Sequence, residues 1–242
     1  MKRVQSFEDT RRRRSRILQI LKYAALFFVG FEVFSAFALK TWVVSSSSME
    51  PTLNSRDRIV VGSSTYGILN PFNGKRASFK APSRGDIVLV RLPSSKERSW
   101  HQRLLDSAVR FLTFQRLGQL GSNSALDTPV IKRIVAGPGD SVMMDGFIMY
   151  VKSSGTSHYL TEYEVSGADY DITGGQPAKD WGKDMPLSGT MAPVDLGPGE
   201  FFVVGDNRFS SADSRFFGTV KSGHFIGKVL FRYWPLDRMS GY

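Results

Sequence analysis

Five arginines, Arg11 to Arg14 and Arg16, stand just ahead of a nearly continuous apolar run of 17 residues, Tyr23 to Leu39. A helix rises about 1.5 Å per residue and the hydrocarbon core of a bilayer is about 30 Å thick, so the run is just long enough to span. Flanking Ile17 to Ile20 or Thr41 to Val44 help to complete the crossing. Glu32 sits inside the run, where an acid costs roughly 2.5 to 3.5 kcal/mol at a helix centre, so it is expected to be protonated or to face a partner. Two other readings of this segment exist: a buried core helix, or an export signal removed after Ala36-Phe37-Ala38. Anchoring is the reading adopted, and the arginine cluster sets its orientation, because basic residues stay on the cytoplasmic side. The expected order is a basic cytoplasmic tail (residues 1–22), a single transmembrane anchor (23–42) and a domain from 43 to 242. That domain would lie on the periplasmic or extracytoplasmic face of the cell (inner) membrane, and the bilayer is the first partner implied.

The chain carries a net charge of +10, which raises the question of nucleic acid. Residues 1–22 hold eight basic side chains against Glu8 and Asp9, so +6 of the total belongs to the tail. The tail offers neither a basic face on a folded module nor aromatics interleaved with basic residues, so no nucleic-acid partner is expected. Without cysteine there is no disulfide and no thiolate metal site. His101, His158 and His224 lie far apart with no metal-type spacing, and no metal or cofactor is called for.

Beyond the anchor the sequence predicts a mainly β domain. Short Val, Ile, Leu and Phe runs recur between Gly and Pro: Arg58–Val61, Asp86–Leu92, Val130–Val135, Val142–Val151, Phe201–Val204 and His224–Trp234. Asp145-Gly146 predicts a tight type I′ hairpin. Residues 94–128 form an insertion whose Leu104, Leu105, Val109, Leu112 and Leu117 recur at helical spacing. Residues 153–195, rich in Gly, Ser, Asp and Thr, read as an excursion or small second lobe.

Chemistry is suggested in two places. Ser45 to Ser48 follow the apolar run and, taken alone, would make a flexible linker, but Met49, Pro51 and Leu53 do not belong in one. A proline shortly after the serines can fix a turn that presents a hydroxyl. A serine needs a base, and His, Lys or a terminal amine are the choices. None of the three histidines sits in a segment that resembles a site. Lys132, in contrast, lies within the apolar strand Pro129 to Val135. Alternation places Lys132 beside Val130 and Ile134 on a buried face, with Arg133 pointing the other way. Burial lowers a lysine pKa and frees a neutral amine, although a lysine at a sheet edge can also snorkel to solvent.

Four motifs then resemble, in order and approximate spacing, those of bacterial type I signal peptidases. They are Ser-x-Ser-Met-x-Pro-Thr-Leu (46–53), Arg-Gly-Asp-Ile-Val-Leu-Val (84–90), Lys-Arg-Ile-Val-Ala-Gly-Pro-Gly-Asp (132–140) and Gly-Asp-Asn-Arg-x-x-Ser-x-Asp-Ser-Arg (205–215). Tyr66-Gly67 and Asp145-Gly146 are lesser landmarks. The likeness runs from about residue 44 to 235, with 94–128 and 153–195 unmatched. Ser45, Ser47 and Phe209 stand where proline, glycine and an acidic residue are usual.

The resemblance implies a two-lobed β-rich catalytic domain that cuts signal peptides from exported preproteins, at or near the export translocon. It implies Ser48 as nucleophile and Lys132 as general base, with the Ser46 hydroxyl and the Ser48 N–H as oxyanion hole. Ser211 would orient the amine, and Asp213 with Arg215 would support it. Met49, Leu53, Leu89 and Ile131 would line shallow pockets for small side chains, although they could equally be ordinary core. A narrower alternative is a maturation peptidase dedicated to a pilus or conjugation substrate. A different one is a non-catalytic, membrane-tethered β-domain adaptor, against which the intact Ser46, Ser48, Lys132 and Ser211 argue. A soluble, self-cleaving Ser-Lys repressor would need a DNA-reading helix pair where the apolar run stands.

Overall fold

The computed structural model describes residues 7–37, 39–69, 76–77, 80–92, 105, 109, 128–175 and 188–242; the side chains of 7–11, 31–37, 68–69 and 76–77 are outside the description. The chain divides into two units, one of residues 1–37 with 97–121, the other of 38–96 with 122–242. In the first unit, helix α1 (Phe7–Phe37) carries the arginine cluster and the apolar run as far as Phe37 on one continuous helix. Leu18, Ile20, Leu26 and Phe27 are each more than half exposed on it. Among the described residues no helix is long and apolar enough to cross a membrane. The C-terminal end of the expected anchor is a strand instead, β1 (Leu39–Val43). The helical spacing expected over 94–128 falls outside the described residues, apart from Leu105 and Val109, which are helical, and Thr128. His101 is outside them as well.

The second unit is mainly β. Its strands are β2 (Arg58–Gly62), β3 (Ile68–Leu69), β4 (Arg76–Ala77), β5 (Ile87–Val90), β6 (Val130–Ala136), β7 (Ser141–Asp145), β8 (Ile148–Lys152), β9 (Leu160–Thr161), β10 (Met191–Asp195), β11 (Glu200–Val204), β12 (Val220–Lys221), β13 (Phe225–Trp234) and β14 (Ser240–Gly241). Two short helices join them, α2 (Glu162–Ser166) and α3 (Ser214–Phe217). An eight-stranded antiparallel sheet runs β1-β2-β13-β5-β6-β11-β12, with β14 beside β13. A smaller sheet runs β10-β7-β8-β9, and β3 pairs with β4. Each apolar run named from the sequence became one strand, except Val142–Val151, which became the β7–β8 hairpin.

Three apolar clusters hold these layers together, and burial of each Leu, Ile, Val or Phe contributes about 1.5–3 kcal/mol. One contains Val44, Met49, Leu53, Ile59, Leu89 and Ile131. A second, with Val135, Met144, Met149, Val151, Phe202 and Val204, joins the small sheet to β6 and β11. The small sheet includes β7 and β8, which precede residue 153 in the chain. A third contains Val88, Val90, Ile134, Val203, Val220 and Phe225. Strand β6 supplies all three clusters through Ile131, Val135 and Ile134, so both of its faces are covered.

The hairpin turn sits one residue later than expected. Asp145 pairs with Ile148, so the two loop residues are Gly146 and Phe147, with φ of 56° and 67°. Positive φ at both positions is the type I′ geometry that suits strand twist, and glycine takes it freely, whereas phenylalanine adopts it at a steric cost. Here Phe147 is tied on both sides: its N–H donates to Gly189 O at 3.0 Å, and its carbonyl accepts from Arg208 at 2.9 Å.

Candidate active site

The serine segment folds as a turn anchored from beneath. Glu50 N–H donates to Ser47 O (3.1 Å) and Leu53 N–H to Met49 O (2.8 Å), while the Met49 and Leu53 side chains are buried. Apolar burial at these two positions pins the turn, and the serines ride on it. Ser45 and Ser46 are exposed, and Ser48 is buried at 7 % exposure. The sequence from Met49 onward, unsuited to a linker, is thus what fixes the hydroxyl in space.

Strand β6 brings Lys132 to that hydroxyl. Lys132 Nζ donates to Ser48 Oγ at 2.8 Å, and the lysine is only 2 % exposed. Ser46 Oγ lies 3.2 Å from Ser48 Oγ. Among the described residues the Ser48 N–H makes no hydrogen bond to the protein, which leaves it available to a developing oxyanion. Burial pushes the Lys132 amine down from 10.5 to about 8. Asp213 and Asp206 oppose that fall and Arg215 assists it. The carboxylates cannot cancel it because each is bound to its own guanidinium. Arg215 Nε and Nη2 donate to Asp213 at 2.8 Å each, and Arg133 Nε and Nη2 donate to Asp206 at 2.8 and 2.6 Å. At pH 7.4 an amine with a pKa of about 8 is neutral in roughly a fifth of molecules, against roughly one in 10³ for an ordinary lysine.

The loop after β11 closes the site from the other side. Asn207 N–H donates to Ser48 O (3.1 Å) and its Nδ2 to Ser47 O (3.3 Å). Gly205 packs so tightly against this turn that a Cβ there would lie 2.4 Å from Ser48 O and 2.3 Å from Ser211 Oγ, so any side chain would push the loop off the nucleophile turn. Asp213 caps helix α3, accepts from Gly205 N–H at 3.0 Å and is paired with Arg215 as expected. Burial drives the Asp213 carboxyl up, but the Arg215 guanidinium, the Gly205 N–H and the Ser211 hydroxyl outweigh it and hold the group below its usual range.

The structure also places the other residues singled out by the sequence. Arg133, set opposite Lys132 by alternation, is itself buried at 4 % exposure, because Asp206, Thr52 and the Tyr170 ring cover its face of β6. Ser211 is buried close to Ser48, but among the described residues its Oγ has no partner in hydrogen-bond geometry, so the expected bond to Lys132 is not formed; it lies near enough to Asp213 to favour the ionised carboxyl. Met49, Leu53, Leu89 and Ile131 do come together, in one apolar cluster directly below the serine turn, each at most 7 % exposed. His158 and His224 make no bond to Ser48 or Lys132. Sequence reading missed Glu162, Tyr170 and Thr52. Glu162 and Tyr170 lie in the unmatched excursion, and only a buried acid in a polar stretch could have signalled them.

A serine hydroxyl bonded to a buried amine that sheds its proton easily, inside an antiparallel β fold, is the equipment of a serine hydrolase. Residues 15–234 match the family described as signal peptidase, peptidase S26, and the chain belongs to that family. It is a serine endopeptidase that removes signal peptides. It is 28% identical over 205 residues to signal peptidase I of Bacillus caldolyticus, covering 84% of each chain. It is 27% identical over 217 residues to signal peptidase I of Leptolyngbya laminosa, covering 88% of this chain and 79% of the other. A solved signal peptidase I from Enterococcus faecalis V583 is 23% identical, with 63% of this chain and 99% of that one covered; its TM-score of 0.30 is too low to bear on the fold.

Proposed function

We propose that Ser48 and Lys132 perform the signal-peptide cleavage as a Ser-Lys dyad on the face of the large sheet. The observation that carries this reading is the 2.8 Å bond from a buried Lys132 Nζ to Ser48 Oγ. Ser48 Oγ attacks the scissile carbonyl while its proton passes to the neutral Lys132 amine. The tetrahedral oxyanion is held by the Ser48 N–H and the Ser46 hydroxyl, and the Lys132 ammonium then gives its proton to the leaving amine. Water, deprotonated by the same amine, hydrolyses the acyl-enzyme. Asp213 and Arg215 brace the loop, and Ser211 fills the space beside the nucleophile turn. Exported preproteins with small residues before the cut are the substrates, accepted above the cluster of Met49, Leu53, Leu89 and Ile131. Incubating the detergent-solubilised protein with a preprotein tests the reading: Ser48→Ala should abolish cleavage with folding intact, and Ser47→Ala should change little. An active Ser48→Ala would remove the dyad.

The same proposal includes a single-pass anchor built on the apolar part of α1, which ends before β1, with residues 1–22 in the cytoplasm and the catalytic unit outside the cell membrane, where the translocon delivers its substrates. The continuous helix that joins the Arg11–Arg16 cluster to the exposed apolar run supports it. Protease added outside intact spheroplasts should digest the β unit and spare the first 22 residues; the reverse pattern would invert the orientation.

A further inference from the structure

The Ser47–Ser48 peptide takes its orientation from Asn207, and Asn207 is held between two neighbours anchored in different places. Asp206 is gripped by Arg133, next to the base on β6. Arg208 is wholly buried and reaches into the small lobe, donating through Nη1 to Glu162 Oε1 at 2.7 Å and through Nη2 to Glu162 Oε2. Glu162, 1 % exposed at the start of α2, also accepts from the Met149 N–H (2.9 Å) and the Tyr170 hydroxyl (2.6 Å). The Tyr170 ring in turn lies 3.7 Å from the Arg133 guanidinium. Thr173 extends the link in the backbone: its N–H donates to Asp206 O (2.9 Å) and its carbonyl accepts from the Arg208 N–H (2.8 Å). Residues 162–173 therefore grip both sides of Asn207, from a stretch that carries none of the recognised motifs.

We propose that Glu162 and Tyr170 are positioning residues for the oxyanion-binding peptide of Ser48, an inference that rests on the Ser48–Lys132 reading above. The pair fixes Arg208 and Arg133, these fix Asn207 and Asp206, and Asn207 aims the Ser48 N–H through its bonds to the Ser47 and Ser48 carbonyls. A donor aimed in advance favours the transition state over the bound substrate, so loosening it lowers kcat and leaves KM in place.

Tyr170→Phe keeps the ring over Arg133 and removes only the hydroxyl bond, while Glu162→Gln keeps the shape and removes the charge. In the full-length, detergent-solubilised protein, kcat on a preprotein should fall about tenfold for Tyr170→Phe and toward the ~10² that loss of one oxyanion donor costs for Glu162→Gln. KM should stay within about twofold. Glu162→Asp should recover part of the loss. Glu162→Gln should also cost less in a Ser46→Ala background, since donors to one oxyanion act as a unit. Unchanged kcat, a loss confined to KM, or a loss that only follows the folded fraction in a thermal melt would each overturn the proposal. Where Glu162→Gln does not fold, Tyr170→Phe, which removes no charge, carries the test. Ser48→Ala, measured alongside, separates the two levels. If it still cleaves, the dyad reading fails and this inference with it; if it is inert while Tyr170→Phe is fully active, only this inference falls.

Discussion

Among the described residues Arg208 and Lys132 are the two largest fully buried side chains, and both are cations. Their surroundings treat the charge in opposite ways. Arg208 spends its guanidinium on Gly205 O, Phe147 O and both oxygens of Glu162. Burial pulls its pKa down, but Glu162 outweighs burial and the group ends above its ordinary value. Lys132 has one hydrogen bond from its amine among the described residues, to a serine hydroxyl, and the nearby carboxylates of Asp213 and Asp206 are committed to arginines. Burial therefore prevails, and the amine falls to about 8. A cation that is neutralised where it lies holds structure together; one that is desolvated without a counter-ion is ready to be a base.

The largest effect expected from this contrast is on activity. Lys132→Ala should be inert on preprotein, and so should Lys132→Arg, because a guanidinium keeps its proton throughout the accessible pH range. Cleavage by Lys132→Arg at a measurable fraction of the parent rate would erase the distinction between the two cations. Stability should respond in the other order. Arg208→Met leaves Glu162 buried without its counter-ion, a loss of about 3–5 kcal/mol by the usual cost of breaking a buried pair. Lys132→Met should be neutral or stabilising at pH 7. Its benefit is fully present below about pH 8, where the folded protein must bury an ammonium or shed its proton, and fades as pH rises to 10.5, where the unfolded lysine is neutral too. Thermal melts of the two variants in the same detergent make the comparison; a Lys132→Met protein as damaged as Arg208→Met would show that the amine is structural.

The same contrast explains what could be read from the chain alone. Lys132 was legible because an ionisable residue in an apolar β run is conspicuous, and the strands of the large sheet were legible because their runs are short and cleanly punctuated. Arg208 was legible only as a letter in a motif. Its partner Glu162 lies far away in sequence, in a polar stretch whose burial depends on the lobe folding over it. The burial of Arg133 was not legible for a related reason: alternation sets it opposite Lys132, but only the packing of segments remote in the chain covers both faces of β6. Residues 39–43 were read as the end of an apolar helix because Trp, Val and Leu suit a membrane and a strand equally well; pairing with β2 decides in favour of the strand. Phe147 in a left-handed turn position could not be foreseen, since the contacts that hold it there come from Gly189 and Arg208.

The smallest effect is the most discriminating, because it reads the amine itself. A base with a pKa of about 8 is neutral in roughly a tenth of molecules at pH 7 and nine-tenths at pH 9, so kcat/KM should rise about tenfold over that interval and level off above it. The sign follows from the role: protonated Lys132 cannot accept the Ser48 proton, so activity is lost as pH falls through the folded value and not as it rises. An ordinary lysine would put the limb near 10.5, and a histidine would put it near 6.5. Replacing His101, His158 or His224 should leave the midpoint where it is. Replacing Asp213 by Asn should lower it, because Asp213 is the strongest of the charges that favour the ammonium. A midpoint that moves up in Asp213→Asn, or one that moves with any of the histidines, would mean that the titrating group is not the buried amine, and the two cations would no longer differ in the way the geometry says they do.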